Sequence, residues 1–361
     1  MKPKLLVLDI YIIKKFLGTF LLFISLIVSI AIVFDVAENI DDFLSKDATL
    51  KQIIADYYFN FIPYFANLFC SLFTFVAVIY FTSKMAYDTE IIAILSSGVS
   101  FHRLVRPYMI AASIVVVFSY LLGNYVIPPA NKKRVEFRNT YIGNKRPEFE
   151  KDIHRQLTPG TYIYMTSYVP ATDIGHKFTM EKIEDGVLKS KLTASYIKWD
   201  REKKIWQIND YYIRDLNGTK ETITKGKQLD TLLNMKPEDY RVMKNIVETM
   251  SLPVLNKEIQ DLRLRGVNTV EYELEKHRRT ANPFSLFILT IIGVSLASRK
   301  IKGGLGFHLG LGILISFSYI MFLQVTSVFS NTGLMAPIIA VWIPNLFFSI
   351  VALFLYRFAR K

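Results

Sequence analysis

Residues 16–34 read FLGTFLLFISLIVSIAIVF, a run without a single charged side chain. As an α-helix rising about 1.5 Å per residue, it reaches the roughly 30 Å needed to cross a hydrocarbon core. Lys2, Lys4, Lys14 and Lys15 stand before it, as they would before a secretory signal, but the apolar run is too long for one and is read as an uncleaved first span. Five further apolar stretches follow at about 57–82, 105–127, 283–297, 305–329 and 335–356. Six spans are therefore predicted, three on either side of a long polar middle.

The composition fits this division. Apolar side chains make up 51% of the 361 residues and charged ones 21%, so the charge must be segregated into the tail, the middle third and the short connections. A formal net charge of +13 raises nucleic acid as a ligand class, but no basic block is interleaved with aromatics as a binding platform requires. Much of the surplus instead follows the positive-inside rule. The tail lysines, then Lys84, Arg103 and Arg106, then Arg299, Lys300 and Lys302, then Arg357, Arg360 and Lys361 alternate correctly with six crossings. Both ends are thereby expected on the cytoplasmic side, and the connection 35–56 and the polar middle outside.

Between about 128 and 250 the pattern changes. Stretches at 161–169, 178–184, 188–199, 205–216 and 220–232 are rich in Tyr, Ile, Thr and Trp, and turn signals such as Asp185-Gly186 and Asn217-Gly218 separate them. An antiparallel β-sandwich or jelly roll is predicted, with Tyr196, Lys198 and Asp200, and Thr222 and Thr224, on wet faces. From Leu252 the period becomes helical, with Leu255, Ile259 and Leu262 on one side and Gly266 as a stop. The fold class is thus an α-helical membrane protein with an inserted all-β domain. Its parts are three spans over 1–127, a β domain over 128–250, a helical connector over 251–280 and three spans over 281–361.

No pattern of catalytic residues emerges. The five histidines have no i, i+4 pair for a metal, the single Cys70 offers neither a disulfide nor a thiolate cluster, and no phosphate-binding GxxxxGK[ST] loop exists. No metal and no cofactor are expected, and any ATP hydrolysis belongs to another chain. Gly303, Gly304, Gly306, Gly310 and Gly312 precede an apolar helix rather than follow a strand, which favours close helix packing.

Two regions have a composition suited to binding. The segment of about 86–98 between the second and third spans begins with acids and ends at Gly98, a residue suited to a left-handed helix stop. Its stripe Ile91, Ile94 and Leu95 suits either a helix packed under the bundle or one docked into a soluble motor, with Asp88 and Glu90 at the polar rim. At the outer mouth, Lys132, Lys133, Arg134 and Arg138 follow the third span and His277, Arg278 and Arg279 precede the fourth. They suit either a solvated junction or a collar for lipid phosphates, arginine being fitted to bidentate contact.

Taken together, the segment 90–100 ending Ser97-Gly98-Val99-Ser100, Met250-Ser251-Leu252-Pro253 with the helix end 262–266, the basic run in 273–283, Ile292-Gly293-Val294-Ser295-Leu296 and Trp342-Ile343-Pro344-Asn345 resemble the lipopolysaccharide export permease family LptF/LptG (YjgP/YjgQ) over nearly the whole chain. The modest outer domain leans toward the LptG branch. The resemblance implies a permease subunit of an ABC transporter in the bacterial inner membrane, acting in outer-membrane biogenesis. Its implied partners are a cytoplasmic ATPase dimer, a second homologous permease, periplasmic jellyroll bridge proteins and lipopolysaccharide. Glu90 then takes the coupling position. Where the family's second type often carries lysines at the outer end of the first span, this chain has Asp35, Glu38, Asp41 and Asp42, so the phosphate role moves to 132–138 and 277–279. The competing reading is a non-transporting membrane-anchored periplasmic scaffold, which has no need of a docking helix.

Overall fold

A computed structural model describes residues 7–45, 48–142, 151–170, 172–218, 220–233, 235, 237, 246–264, 267–299 and 304–359. The chain divides into two compact units. The helical unit comprises Met1–Gly143, Val247–Leu255 and Val270–Lys361, and the β unit Asn144–Ile246 and Asn256–Thr269.

Six helical segments of the first unit are long and apolar enough to cross a membrane. Helix α1 (Val7–Ser45) overruns its uncharged stretch at both ends, so Asp35, Glu38, Asp41 and Asp42, expected in a connection, are helical. The second crossing starts at a capping box. The Thr49 hydroxyl accepts from the Gln52 N–H, and the Thr49 N–H donates back to the Gln52 side chain at 3.1 Å. It continues through α2 (Leu50–Gln52), a π-helical segment (Ile53–Tyr58), α3 (Phe59–Leu68) and α4 (Cys70–Tyr87), followed by the short α5 (Glu90–Ser96).

Helix α6 (Phe101–Leu121) is capped by Ser100 and passes through a second π-helical segment (Leu122–Val126) into α7 (Ile127–Tyr141). The third crossing therefore does not stop at Ile127. Pro128 and Pro129 lack the N–H that an α-turn needs and crowd the preceding carbonyls, and a wider π turn stands directly before them. After the strands come α8 (Leu252–Leu264), most of which belongs to the β unit, and then α9 (Val270–Ala297), α10 (Gly304–Asn331) and α11 (Pro337–Ala359).

Helices α4 and α9 form the centre of the bundle. In their most apolar windows 61% and 67% of residues are buried, against 17% in α1 and 22% in the fifth crossing. One core joins Ile12, Phe16 and Phe20 of α1 to Phe81 and Met85 of α4, Ile91 of α5 and Leu104 and Tyr108 of α6. A second joins Phe75 and Ile79 of α4 to Ile288 and Ile292 of α9, Tyr319 of α10 and Phe348 of α11.

The motif 292–296 has a packing explanation. A side chain on Gly293 would meet Val78 Cγ1 at 2.9 Å and Phe75 at 3.2 Å, so the glycine lets α9 lie directly on α4. The motif 342–345 likewise supplies a knot. Buried Asn345 donates to the Ala281 carbonyl at 3.0 Å and accepts from the Tyr319 hydroxyl at 2.9 Å, joining α11, α9 and α10. Of the glycines read as a packing stripe, Gly306 and Gly310 face open space within this chain, and Gly312 approaches α4 at Ile79. Gly303 lies outside the described residues.

The β unit is a six-stranded antiparallel sheet in the order β1 (Lys151–Thr158), β2 (Thr161–Val169), β3 (Ile174–Glu184), β4 (Val187–Asp200), β5 (Ile205–Asn217) and β6 (Lys220–Thr231). The expected antiparallel domain is present. Each strand pairs with its neighbours in sequence, so the order among the described residues is a meander without crossed connections. Its core gathers Ile163, Met165, Tyr168, Phe178, Leu192, Ile197, Trp206 and Ile208, while β6 is almost wholly exposed. The Trp206 indole donates to the Met235 carbonyl at 3.0 Å, drawing the chain after β6 onto that core.

Candidate functional site

At the end of the bundle where α4 gives way to α6, a tight connection positions α5. Thr89 adopts a left-handed backbone (φ +63), uncommon for a β-branched residue, and its hydroxyl donates to the Asp88 carbonyl at 2.7 Å. This places Glu90 at the start of a seven-residue helix, and Gly98 at φ +88 ends the connection as its sequence suggests. The stripe Ile91, Ile94 and Leu95 turns toward the chain's own core, Ile91 without any exposed surface. The open face is formed by Asp88, Thr89, Ile92, Ala93 and Ser96. Ile92 is the large apolar side chain on it, 46% exposed.

Glu90 is held from α1. Its Oε2 accepts from the Tyr11 hydroxyl at 2.8 Å, and Lys15 Nζ lies 3.2 Å from Oε1. The Lys15 ammonium also sits over the Tyr11 ring, 4.3 Å from its centre. One turn earlier, Asp9, 2% exposed, accepts both guanidinium branches of Arg103 from α6 at 2.6 and 2.8 Å. Sequence reasoning had no handle on Tyr11, Lys15 or Asp9, because their partners stand 75 to 94 positions away. The one available signal was an acid, Asp9, close before an otherwise uncharged run.

At the opposite end of α6 and α9 the two basic clusters separate into distinct environments. Arg279 is buried. It pairs with Glu275 at 2.8 Å and donates to the carbonyls of Met250 and Val247 at 2.7 and 3.2 Å, pinning the 3₁₀ turn Ile246–Thr249 to α9. Arg134 is buried and lies over the Tyr64 ring at 4.3 Å. Glu248, on that turn, accepts from the Tyr64 hydroxyl and the Asn131 amide, each at 3.4 Å. Burial, and then the neighbouring Glu275, hold the Glu248 carboxyl above its ordinary range against the opposing pull of Arg134 and Arg278.

Arg278 donates to the Ser327 hydroxyl at 2.9 Å, while its buried Nε has no partner. Together with Glu248, Glu275 and Arg279 it lines a cavity of about 410 Å³. Lys132, Lys133 and Arg138 are exposed on α7 and His277 is half-buried on α9. The predicted collar is thus divided between arginines engaged within the chain, Arg279 in an ion pair, Arg134 over a ring and Arg278 on a hydroxyl, and more open cations. The acid row is also not bare. Asp35 accepts from the hydroxyls of Tyr57 and Tyr58 at 3.0 and 3.1 Å, within electrostatic reach of Arg138. Among the described residues, no three His, Cys, Asp or Glu side chains group as a metal site would require.

Six helices long and apolar enough to cross a membrane, with a β unit inserted between the third and the fourth, define the class of polytopic α-helical membrane proteins. The family described as lipopolysaccharide export system permease LptF/LptG matches residues 10–358, and the chain belongs to it. No curated protein matches the chain.

Proposed function

We propose that this permease is the membrane subunit of an ABC machine that extracts lipopolysaccharide, and that a separate cytoplasmic ATPase docks on the open face of α5. The supporting observation is the two-sidedness of that helix. Its back is fixed by Ile91 in the core and Glu90 on α1, while Thr89, Ile92, Ala93 and Ser96 face outward around one apolar centre. An exposed apolar residue ringed by small and polar ones has the layout of an interface anchor.

In this reading both termini and α5 are cytoplasmic, and the β unit is periplasmic and passes lipid to a bridge of similar domains. A second permease of like design completes the lipid cavity. Lys132, Lys133, Arg138, His277 and Arg278 are assigned to lipid phosphates. Arg134 and Arg279 are assigned to holding the turn Ile246–Thr249, because their charges are already engaged within the chain.

The test is co-purification of the tagged chain from its native membrane in mild detergent, beside the variant Ile92→Asp. Recovery of an ATPase and a second six-span permease, with the ATPase lost in the variant, supports the proposal. Wild-type recovery of periplasmic proteins alone would refute docking and favour the scaffold reading.

A further inference from the structure

Helix α1 is the least buried crossing, and its burial is uneven. Asp9, Ile12, Phe16 and Phe20 are buried near its start, whereas Leu21, Leu22, Leu26, Ile30, Val33 and Phe34 are exposed. The helix is therefore gripped at its base and again near its far end, where Phe43 is buried against Tyr57 and Phe137 and Asp35 accepts from Tyr57 and Tyr58, while much of the stretch 21–34 between them is exposed. The base carries two polar ties to different elements, Asp9 to Arg103 on α6 and Tyr11 with Lys15 to Glu90 on α5.

We propose that Lys15 and Tyr11 are positioning residues that make the docking helix and the first span move together, so that displacement of α5 is carried into the exposed middle stretch of α1. The inference rests on α5 being the docking helix. Three features carry it. First, the tie engages both carboxylate oxygens of Glu90, Oε2 through the Tyr11 hydroxyl and Oε1 through Lys15. Rotation of α5 therefore breaks a defined pair of contacts instead of sliding along a diffuse one. Second, Lys15 is itself seated on the Tyr11 ring, so the two α1 side chains present one preformed receptor, with less rotamer freedom to lose than a solitary lysine. Third, the left-handed Thr89 immediately before Glu90 fixes where the carboxylate enters. Motion of the α4–α5 connection is thereby delivered to this contact.

The bidentate Asp9–Arg103 pair holds the neighbouring turn of α1 to α6, giving the base a second fixed point against which it can tilt. Lys15 and Glu90 are each about a third exposed, and a pair so open to water contributes little to stability, which suits a contact that transmits movement better than one that holds the fold together.

The experiment uses the full complex reconstituted in lipopolysaccharide-containing liposomes. ATPase recovery, basal hydrolysis and lipid-stimulated hydrolysis are measured for Lys15→Met, Tyr11→Phe, Lys15→Arg, Lys15→Glu and the exchange Lys15→Glu with Glu90→Lys. For Lys15→Met we expect ATPase recovery within about twofold of wild type and stimulation over basal lowered at least about fivefold. Tyr11→Phe, which preserves the ring, is expected to lose about half the stimulation, and Lys15→Arg to retain it. The exchange variant is expected to regain a substantial part of what Lys15→Glu loses. Unchanged stimulation in Lys15→Met, or an exchange variant no better than Lys15→Glu, would overturn the inference while leaving docking intact. Failure of the wild-type chain to recover any ATPase would remove docking and this inference together. Should Lys15→Met not accumulate, Tyr11→Phe and the exchange variant carry the decision.

Discussion

Replacing Gly293 tests whether α4 and α9 are packed through that glycine. A methyl group there would stand 2.9 Å from Val78 Cγ1 and 3.2 Å from the Phe75 ring, whose own positions in the core allow little retreat. Overpacking costs about 1–3 kcal/mol. Alanine regains up to about 1 kcal/mol of helix propensity over glycine. Gly293→Ala should therefore fall between neutral and about 2 kcal/mol destabilised, combining these two contributions. Gly293→Leu adds three further carbons to the same contact and should lose about 3 kcal/mol or more. Gly310→Ala is the control, since nothing lies within 4 Å of its added carbon. It should be neutral or slightly stabilised. The assay is unfolding of the purified chain in mixed micelles of increasing sodium dodecyl sulfate content, followed by tryptophan fluorescence and circular dichroism. A Gly293→Leu midpoint equal to wild type, or an equal loss in Gly310→Ala, would refute the packing argument.

Three other perturbations probe separate features. Arg103→Ala takes both guanidinium branches away from the buried Asp9 carboxylate, and because the arginine is 28% exposed the cost should be about 2–3 kcal/mol, below the 3–5 of a fully buried pair. Adding Asp9→Asn should return part of it in the same micelle titration. Trp206→Phe removes the indole donor to Met235 while keeping a ring in the β core, and should cost about 1 kcal/mol, read as earlier proteolytic opening of the β unit. For Glu248 the fold favours the protonated form. That contribution is complete below the carboxyl's ordinary 4.5 and is lost as pH rises through the higher folded value. Wild-type stability should thus fall over that interval relative to Glu248→Gln, and parallel pH profiles for the two proteins would contradict the assignment.

The parts legible in the sequence are those with a strong period or a long uniform run. Residues 16–34 announce a crossing by hydropathy, and 188–199 and 205–216 announce strands by alternation; the structure places α1, β4 and β5 on them. The unread parts depend on context. Beyond Phe34 and Ile127 the helices continue through charged residues, which at a membrane boundary read as loops. Strand β1 begins Lys151-Asp152-Ile153-His154-Arg155, with too little alternation to be distinguished from a linker.

The candidate sites were legible as residue clusters and not as orientations. Ile91, Ile94 and Leu95 are an apolar stripe in either setting, and only the packing of α4 and α6 against them turns the stripe inward. Likewise Arg278 and Arg279 are adjacent in sequence, yet a helical step of 100° sends one to Ser327 and the other to Glu275 and two backbone carbonyls. The quoted motifs acquire physical meaning from their contacts. The basic run meets the Met250 segment through Arg279, and two residues further along α9 Asn345 ties the Ala281 carbonyl to α11 and, through Tyr319, to α10.

The paired anchors at the base of α1 also bear on how the protein is made. Asp9 reaches the membrane long before Arg103, its partner 94 positions later, has been synthesised. At roughly 5–20 residues per second the delay is about 5–20 s. During that interval the base of the nascent first span lacks its ties to Arg103 and Glu90. Insertion is therefore completed in two stages. The first span threads early on hydropathy alone, and the arrival of α5 and α6 then fastens its base, so that final seating of the oldest helix awaits the third.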